Sequence, residues 1–283
     1  MPASYVLTLA CPDRPGLVFA VSSWIVDRGG NIEDSQQWSD PADQQFFLRL
    51  QFTLTDGTGL ETLRQSFAGT AGTYSMWWRL VVADAPFRTL IMVSRYGHCL
   101  NDLLFRHSIG ALNIEVPAIV SNHRDLERLA ASYDVPFHHI AVTPQTKPDA
   151  EREMLELVGA LDIDLVVLAR YMQVLADSTC RALEGRAINI HHSFLPSFKG
   201  AKPYHQAHDR GVKLIGATAH YVTRDLDEGP IIDQDVTRVT HRMLPADLAR
   251  AGRDIEAGVL SRAVELHSES RILLNGHRTV TFA

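Results

Sequence analysis

The chain has 283 residues, of which 46% are hydrophobic and 21% are charged, and its formal net charge is -6. This length predicts about two domains, and the composition excludes an intrinsically disordered protein. The acidic balance argues against a protein whose main partner is the backbone of a nucleic acid, and no nucleic-acid partner is expected.

The three cysteines are odd in number, far apart and without a CxxC spacing: Cys11, Cys99 and Cys180. This pattern predicts reduced thiols in a cytoplasmic protein rather than disulfides or a zinc site, and no metal is expected. The apolar run at 5–11 meets Asp13 and Arg14 too soon for a signal peptide, and no apolar segment approaches the length of a membrane span. We therefore expect no membrane association.

The first 84 residues alternate between strand-like and helix-like patterns. Apolar residues at every second position from 46 to 54 are typical of a strand, whereas those between 17 and 27 follow helical spacing. The predicted elements are strand 5–9, helix 17–27, strand 31–38, strand 46–55, helix 59–68 and strand 76–83. This order, βαββαβ, is the ferredoxin-like plan.

The turn before the first helix and the entry to the second strand carry a recognisable motif. The residues Asp13-Arg14-Pro15-Gly16-Leu17 and Gly29-Gly30-Asn31-Ile32 resemble an ACT domain, a small regulatory module that usually binds amino acids between paired copies. The resemblance implies an effector such as glycine or methionine, with contacts from Asp13, Arg14, Gly16, Leu17, Asn31 and Ile32. Backbone N–H groups at the helix start could meet the effector carboxylate. A turn and helix cap without a ligand, or a purely dimerising domain, remain alternatives.

The segment 84–86 ends in a proline and reads as a short linker, so the predicted domains are 1–84 and 85–283. Beyond it, short apolar strands alternate with amphipathic helices. The predicted strands are 89–94, 114–121, 137–143, 165–168, one beginning at 187, 213–222 and 231–239. The predicted helices are 98–107, 126–132, 149–161, 173–183 and 245–267, followed by a hairpin around Asn275-Gly276. Such alternation predicts an α/β domain with a Rossmann-like, mostly parallel sheet.

The loop after the first strand of this domain, 94–99, contains no G-x-G-x-x-G. A dinucleotide cofactor is therefore not expected.

A polar pair stands at the end of the strand that begins at 187. Because side chains alternate with period two, Asn189 and His191 share one face, next to a loop rich in proline and glycine. An amide and an imidazole at the carboxyl end of a sheet strand suit a developing oxyanion, and Asp227 is the candidate carboxylate. On spacing alone, a satisfied polar pair and a turn aspartate are the favoured interpretations.

The same residues carry a second resemblance. Ile188-Asn189-Ile190-His191 with Leu195-Pro196, and Asp227 in a Leu-Asp-Glu-Gly setting, are similar to the folate-dependent formyltransferase domain. The segments 191–196, 200–207 and 216–222, together with the preceding ACT-like domain, resemble the formyltetrahydrofolate deformylase family. The resemblance implies catalysis by Asn189, His191 and Asp227. The folate contacts that it implies are Arg170, Tyr171, Met172, Val174, Leu175, His192, Ser193 and Val222, with backbone contacts from Arg170 and Met172 and from the loop 222–227.

The activity implied by the resemblance is hydrolysis of 10-formyltetrahydrofolate to formate and tetrahydrofolate, by a cytoplasmic homo-oligomer (dimer or tetramer) without a cofactor. The formate would feed purine synthesis or balance one-carbon pools. The loop 94–99 lacks the Gly- and Asn-rich sequence of the purine-pathway transferase, and His192 stands where those transferases commonly have proline. Both departures fit water as the acceptor. A formyltransferase to an amine, or a non-catalytic amino-acid-sensing regulator, remain the alternatives.

Overall fold

The computed structural model describes residues 2–55, 57–196 and 203–282. The predicted loop residues Ser197 and Gly200, and the start of the motif 200–207, lie outside the described residues. The chain divides into two compact units. The first consists of Met1–Ala85, Glu269–Asn275 and Val280–Ala283, and the second of Pro86–Ser268 and Gly276–Thr279.

The first unit has the predicted ferredoxin-like order. Its elements are β1 (Ala3–Pro12), α1 (Leu17–Val26), β2 (Asn31–Asp40), β3 (Gln45–Leu54), α2 (Leu60–Thr73) and β4 (Trp77–Val82). The strands form an antiparallel sheet in the order β2-β3-β1-β4. Trp24 of α1 meets Phe67 of α2 edge to face at 4.9 Å, in a core that also holds Phe52 of β3. Helix α2 runs past the predicted end at 68 because Ala71 also faces this core.

The last segment of the chain belongs to the first unit, whereas chain order predicted one continuous second domain from 85 to 283. Strands β12 (Ile272–Asn275) and β13 (Arg278–Thr281) flank the predicted turn at Asn275-Gly276. Leu273 and Phe282 pack around Phe47 of β3. The Arg49 guanidinium donates to the Glu269 carbonyl oxygen at 3.2 Å and 3.4 Å. These contacts complete the core of the first unit.

The second unit is the predicted α/β fold. Its elements are β5 (Phe87–Val93), α3 (His98–Ser108), β6 (Ile114–Ser121), α4 (Glu127–Ala131), β7 (Phe137–His139), α5 (Lys147–Ala160), β8 (Leu165–Leu168), α6 (Asp177–Ala182), β9 (Ala187–His191), α7 (Pro203–Asp209), β10 (Leu214–Tyr221), β11 (Ile231–Arg238) and α8 (Pro245–Ser268). The seven-stranded sheet has the order β11-β10-β9-β8-β5-β6-β7. Strands β5 to β9 are parallel, and β10 and β11 are antiparallel additions. The mostly parallel sheet is thus confirmed.

Strand β7 ends at His139 rather than at the predicted 143, and a second difference in this unit shapes the site. Helix α6 begins at Asp177 rather than at 173. The carboxylate of Glu151 accepts hydrogen bonds from the Ala176 backbone N–H, at 3.0 Å and 3.1 Å to its two oxygens, and from the Thr179 hydroxyl. These bonds hold Ala176 in an extended conformation as the helix cap. The residues before it therefore form a loop that lines the cavity described below.

Within the described parts of the chain, no helix is long and apolar enough to cross a membrane. The three cysteines are free thiols, and all are buried.

Candidate active site

Two neighbouring strands and one loop bring the polar groups of the site together. Asn189 and His191 lie at the end of β9, on the same face as the alternation predicts. In the antiparallel partner β10, His220 lies directly opposite Asn189. Asp227 follows in the loop after β10. Its Oδ1 lies 3.2 Å from His191 Nδ1 and 3.8 Å from His220 Nε2. The three residues singled out in the sequence therefore meet in one place.

His220 is the functional candidate that sequence reasoning missed. Its Nδ1–H donates to the Tyr221 carbonyl oxygen at 2.9 Å, so its Nε2 accepts from the Asn189 side-chain amide at 3.2 Å. Burial lowers the pKa of His220, which keeps the imidazole neutral and preserves this arrangement. The Asn189 amide is thereby oriented, and its second N–H is left for a ligand.

The Asp227 carboxylate is ionised. Burial alone would raise its pKa, but the hydrogen bond from His191 and the nearby imidazoles outweigh burial and hold the pKa below its ordinary value. With Nδ1 of His191 directed at Asp227, the other ring nitrogen, Nε2, is buried and has no hydrogen-bond partner among the described residues. A buried ring nitrogen without a partner marks a place for a ligand or water.

Two residues at the site have backbones in the left-handed region, with φ of 58° for Asp227 and 68° for Arg170. This conformation is uncommon for residues with a side chain and costs about 1–2 kcal/mol. Such strain concentrates at functional sites, where the surrounding structure holds it in place.

A cavity of about 370 Å³ opens beside these groups. Its wall includes Asn189, His191, His220 and Asp227. Of the folate contacts expected from the resemblance, seven line this cavity: Arg170, Tyr171, Met172, Val174, Leu175, His192 and Val222. Further lining residues include Leu168, Gln173, Cys180 and Ile190. The loop 222–227 contributes Thr223, Arg224 and Leu226 as well.

Two of the expected contacts are placed differently. The side chain of Ser193 is buried away from this cavity, in the wall of a smaller one, and its carbonyl oxygen accepts from the Thr218 hydroxyl at 3.0 Å. The Met172 backbone N–H already donates to Ser94 Oγ at 3.0 Å, and that hydroxyl donates to Asn122 Oδ1 at 2.7 Å. A backbone contact from Met172 to a ligand would therefore use its carbonyl oxygen.

One group of potential metal ligands lies in the described part of the second unit: His98, Cys99 and Glu256, with ligand atoms within 4.8 Å of one another. The Arg170 guanidinium already faces this carboxylate, with Nη1 at 3.3 Å from Oε2. A fixed positive charge thus stands where a cation would have to bind.

The expected effector residues occupy the predicted turn and strand entry in the first unit. Gly16 caps α1 with φ of 93°, and Asn31 begins β2 in an exposed position. The Arg14 guanidinium donates to the Thr73 carbonyl oxygen at 2.6 Å. The side chain of Leu17 is buried in the core, so it is not available to an effector. Asp13 donates its backbone N–H to the Gln44 carbonyl oxygen, and Ile32 packs against the core.

The fold and site define a protein of the formyl transferase class. The formyl transferase family model matches residues 87–264, and the ACT domain model matches residues 5–68. A glycinamide ribonucleotide transformylase from Symbiobacterium toebii superimposes with a TM-score of 0.66 at 31% identity, covering 70% of this chain and 95% of the other.

Closer similarity extends over both units. The formyltetrahydrofolate deformylase of Corynebacterium sp. (strain P-1) is 50% identical, and the alignment covers 98% of this chain and 97% of the relative. The crystal structure of formyltetrahydrofolate deformylase from Burkholderia mallei has a TM-score of 0.95 at 48% identity and covers the whole of both chains. The chain belongs to the formyltetrahydrofolate deformylase family of hydrolases.

Proposed function

We propose that this enzyme hydrolyses 10-formyltetrahydrofolate to tetrahydrofolate and formate, with Asn189, His191 and Asp227 as its catalytic residues. The observation that carries the proposal is the buried His191 Nε2, which has no hydrogen-bond partner among the described residues and lies at the wall of the cavity, while Nδ1 faces an ionised Asp227. The similarity to formyltetrahydrofolate deformylases over nearly the full length of the chain supports the substrate class.

The proposed reaction needs one water and no covalent intermediate. Asp227 orients the water, with His191 sharing its proton, and the water oxygen attacks the formyl carbon. The Asn189 N–H that His220 leaves open, together with His191, stabilises the tetrahedral oxyanion. His191 then passes a proton to N10 as the C–N10 bond breaks, and formate departs. At neutral pH, one 10-formyltetrahydrofolate and one water give one tetrahydrofolate, one formate and one released proton.

The apolar part of the cavity suits the folate ring. Val174, Leu175 and Val222 supply apolar surface next to the polar groups, which is the usual composition of a small-molecule site. The loop that carries two of them is fixed by Glu151 at one end and by Ser94 near the other. We therefore place the pterin against the loop 170–175 and the formyl group at His191.

The first experiment uses purified protein and 10-formyltetrahydrofolate without an added acceptor, and measures formate and tetrahydrofolate together. Stoichiometric release of both products is expected. His191→Asn and Asp227→Asn should each lower kcat by at least about a hundredfold, because each removes a group from proton transfer. Arg128→Gln, on the exposed side of α4, is the matched surface control.

The outcomes separate the alternatives. Tight folate binding without release, followed by turnover once an amine is added, would replace hydrolysis with formyl transfer. No folate binding at all would leave the amino-acid-sensing regulator as the explanation. Unimpaired kcat in either variant would refute the catalytic assignment even if hydrolysis stands.

We also propose that the ACT domain gives amino-acid control of this activity, and that a cytoplasmic homo-oligomer of the enzyme supplies formate for purine synthesis or balances one-carbon pools. The support for amino-acid control is the match of the ACT model to residues 5–68 and the exposed Asn31 at the start of the unit's second strand. Glycine and methionine are the first effectors to titrate. An Asn31→Ala variant should lose the response while keeping basal turnover, and a response that persists unchanged would remove Asn31 from the effector site.

A further inference from the structure

Arg170 is a charged side chain buried in the wall of the same cavity as His191. It is 8% exposed, and its backbone has the left-handed φ of 68°. Its Nε and Nη1 atoms are both buried and have no hydrogen-bond partner among the described residues. A buried guanidinium with open donors is unfavourable unless something fills them. The strained backbone adds to that cost, which points to a functional use of the side chain.

One side of the guanidinium faces a fixed acid. Glu256 is 1% exposed, and its Oε2 lies 3.3 Å from Arg170 Nη1. The Glu256 carboxylate receives hydrogen bonds from His98 Nε2 at 2.8 Å and from the Tyr204 hydroxyl at 2.6 Å. These two donors hold the acid in place, and the acid positions the arginine. Because the guanidinium is a planar fork, its Nε–H does not point along the same direction as Nη1 and is left over for another acceptor.

The side chains grouped around Glu256, namely Arg170, His98 and Tyr204, lie next to the catalytic groups. The His192 ring lies 5.2 Å from the His191 ring and 6.2 Å from the Tyr204 ring, measured between centroids. Burial, followed by the charge of Arg170, lowers the pKa of His192 to about 4, so His192 is neutral at physiological pH. Arg170 is therefore the cationic side chain next to His192, and Glu256 balances part of its charge.

We propose that Arg170 binds the formate product, so that the wall beside His191 contains a subsite for a small carboxylate. The identity of the carboxylate rests on the proposed hydrolysis. When the C–N10 bond breaks, the formyl carbon leaves as formate with a full negative charge inside a largely apolar cavity. Guanidinium groups are the preferred partners of carboxylates, through charge-assisted hydrogen bonds.

A second carboxylate source is the glutamate tail of the folate. Arg170 is buried on the wall shared with His191 and His192, where the formyl carbon must lie for catalysis. Arg224 lines the same cavity but its side chain is 70% exposed, which suits a group that reaches solvent. This contrast assigns formate, rather than the tail, to Arg170.

The test measures binding without turnover. Formate is titrated by calorimetry into the full-length protein saturated with tetrahydrofolate, and in a parallel arm glutamate and formate are titrated in competition into the protein without folate. Saturable formate binding is expected in the wild type. Arg170→Gln should weaken it by at least about tenfold, the effect of losing one charged hydrogen bond. Arg224→Gln, which removes the same charge from the cavity mouth, should change it by less than about twofold.

Arg170→Gly is the second variant, since glycine adopts the left-handed backbone without strain while the side chain is removed. Equal formate affinity in the wild type, Arg170→Gln and Arg170→Gly would overturn the proposal, as would an equal loss in Arg224→Gln. Glutamate competing with formate at Arg170 would assign the subsite to the tail instead. Formate release from 10-formyltetrahydrofolate by the wild type tests hydrolysis separately, so the two proposals can fail independently.

Discussion

Replacing Gly229 with alanine tests how tightly the Asp227 loop must be held. A Cβ at this position would lie 1.7 Å from the carbonyl oxygen of Tyr221. Non-bonded carbon and oxygen atoms need about 3 Å or more, so one of the two backbones must move by more than about 1 Å. That carbonyl oxygen is also the acceptor for His220 Nδ1–H at 2.9 Å. The clash therefore displaces either the Asp227 loop or the group that orients Asn189.

Either displacement breaks the catalytic geometry, and a misplacement of about 1 Å can cost about a hundredfold in rate. We expect Gly229→Ala to lower kcat by about that factor, with a smaller effect on tetrahydrofolate affinity. Formate release at saturating substrate and calorimetric folate binding are the two measurements. Gly159→Ala is the control, because a Cβ there meets nothing within 4 Å and alanine favours helix α5. A Gly229→Ala enzyme that turns over as fast as Gly159→Ala would refute the reasoning.

Three more predictions follow from the site. His220→Ala removes the acceptor that orients the Asn189 amide, so kcat should fall about ten- to a hundredfold while KM changes little, as steady-state kinetics can check. His192 has a pKa of about 4 in place of 6.5, so below pH 6.5 the unfolded state binds the extra proton and stability declines toward pH 4. At pH 5 the loss is about 2 kcal/mol relative to pH 7, and urea unfolding of His192→Asn should lack that part of the acid sensitivity. Glu151→Gln leaves the cap of α6 with weaker bonds, so the free energy of unfolding should fall by about 1–3 kcal/mol and KM should rise; unchanged values of both would remove the carboxylate from that role.

Strand alternation was enough to place Asn189 and His191 together, whereas their chemical role came from the family resemblance. Asn189 and His191 were predicted to share a face of β9 because strand side chains alternate, and the structure confirms that placement. His220 lies within the segment 216–222 that carries the family resemblance, but the resemblance gives it no role. Its position opposite Asn189 depends on the antiparallel register of β10 with β9, which joins residues 31 apart in sequence. The local signal that could have found it is the spacing of Thr218 and His220, two polar residues that alternation places on one face of β10.

Three other features depend on contacts between residues far apart in sequence, so local patterns do not predict them. The helix predicted from 173 starts at Asp177 because Glu151, 25 residues earlier than Ala176, provides the hydrogen bonds that fix the cap. The left-handed backbone at residue 170 could not be predicted because the residue is an arginine and not a glycine. Tertiary contacts maintain this conformation. Leu17 fits the ACT motif equally as an effector contact and as a core residue, and only packing distinguishes the two.

The return of the chain end to the first unit has a consequence for how this architecture can be taken apart. Phe47 is 1% exposed, and its shared cluster contains Leu273 and Phe282, which are encoded more than two hundred positions later. A fragment cut at the linker would thus be an incomplete module with an uncovered aromatic ring and an arginine, Arg49, deprived of the Glu269 carbonyl. During synthesis, the first unit cannot reach its final form until the second unit has been translated. Grafting the first unit onto another enzyme would require segments from both ends of the chain. The other enzyme would have to be inserted between those segments rather than joined after the first one.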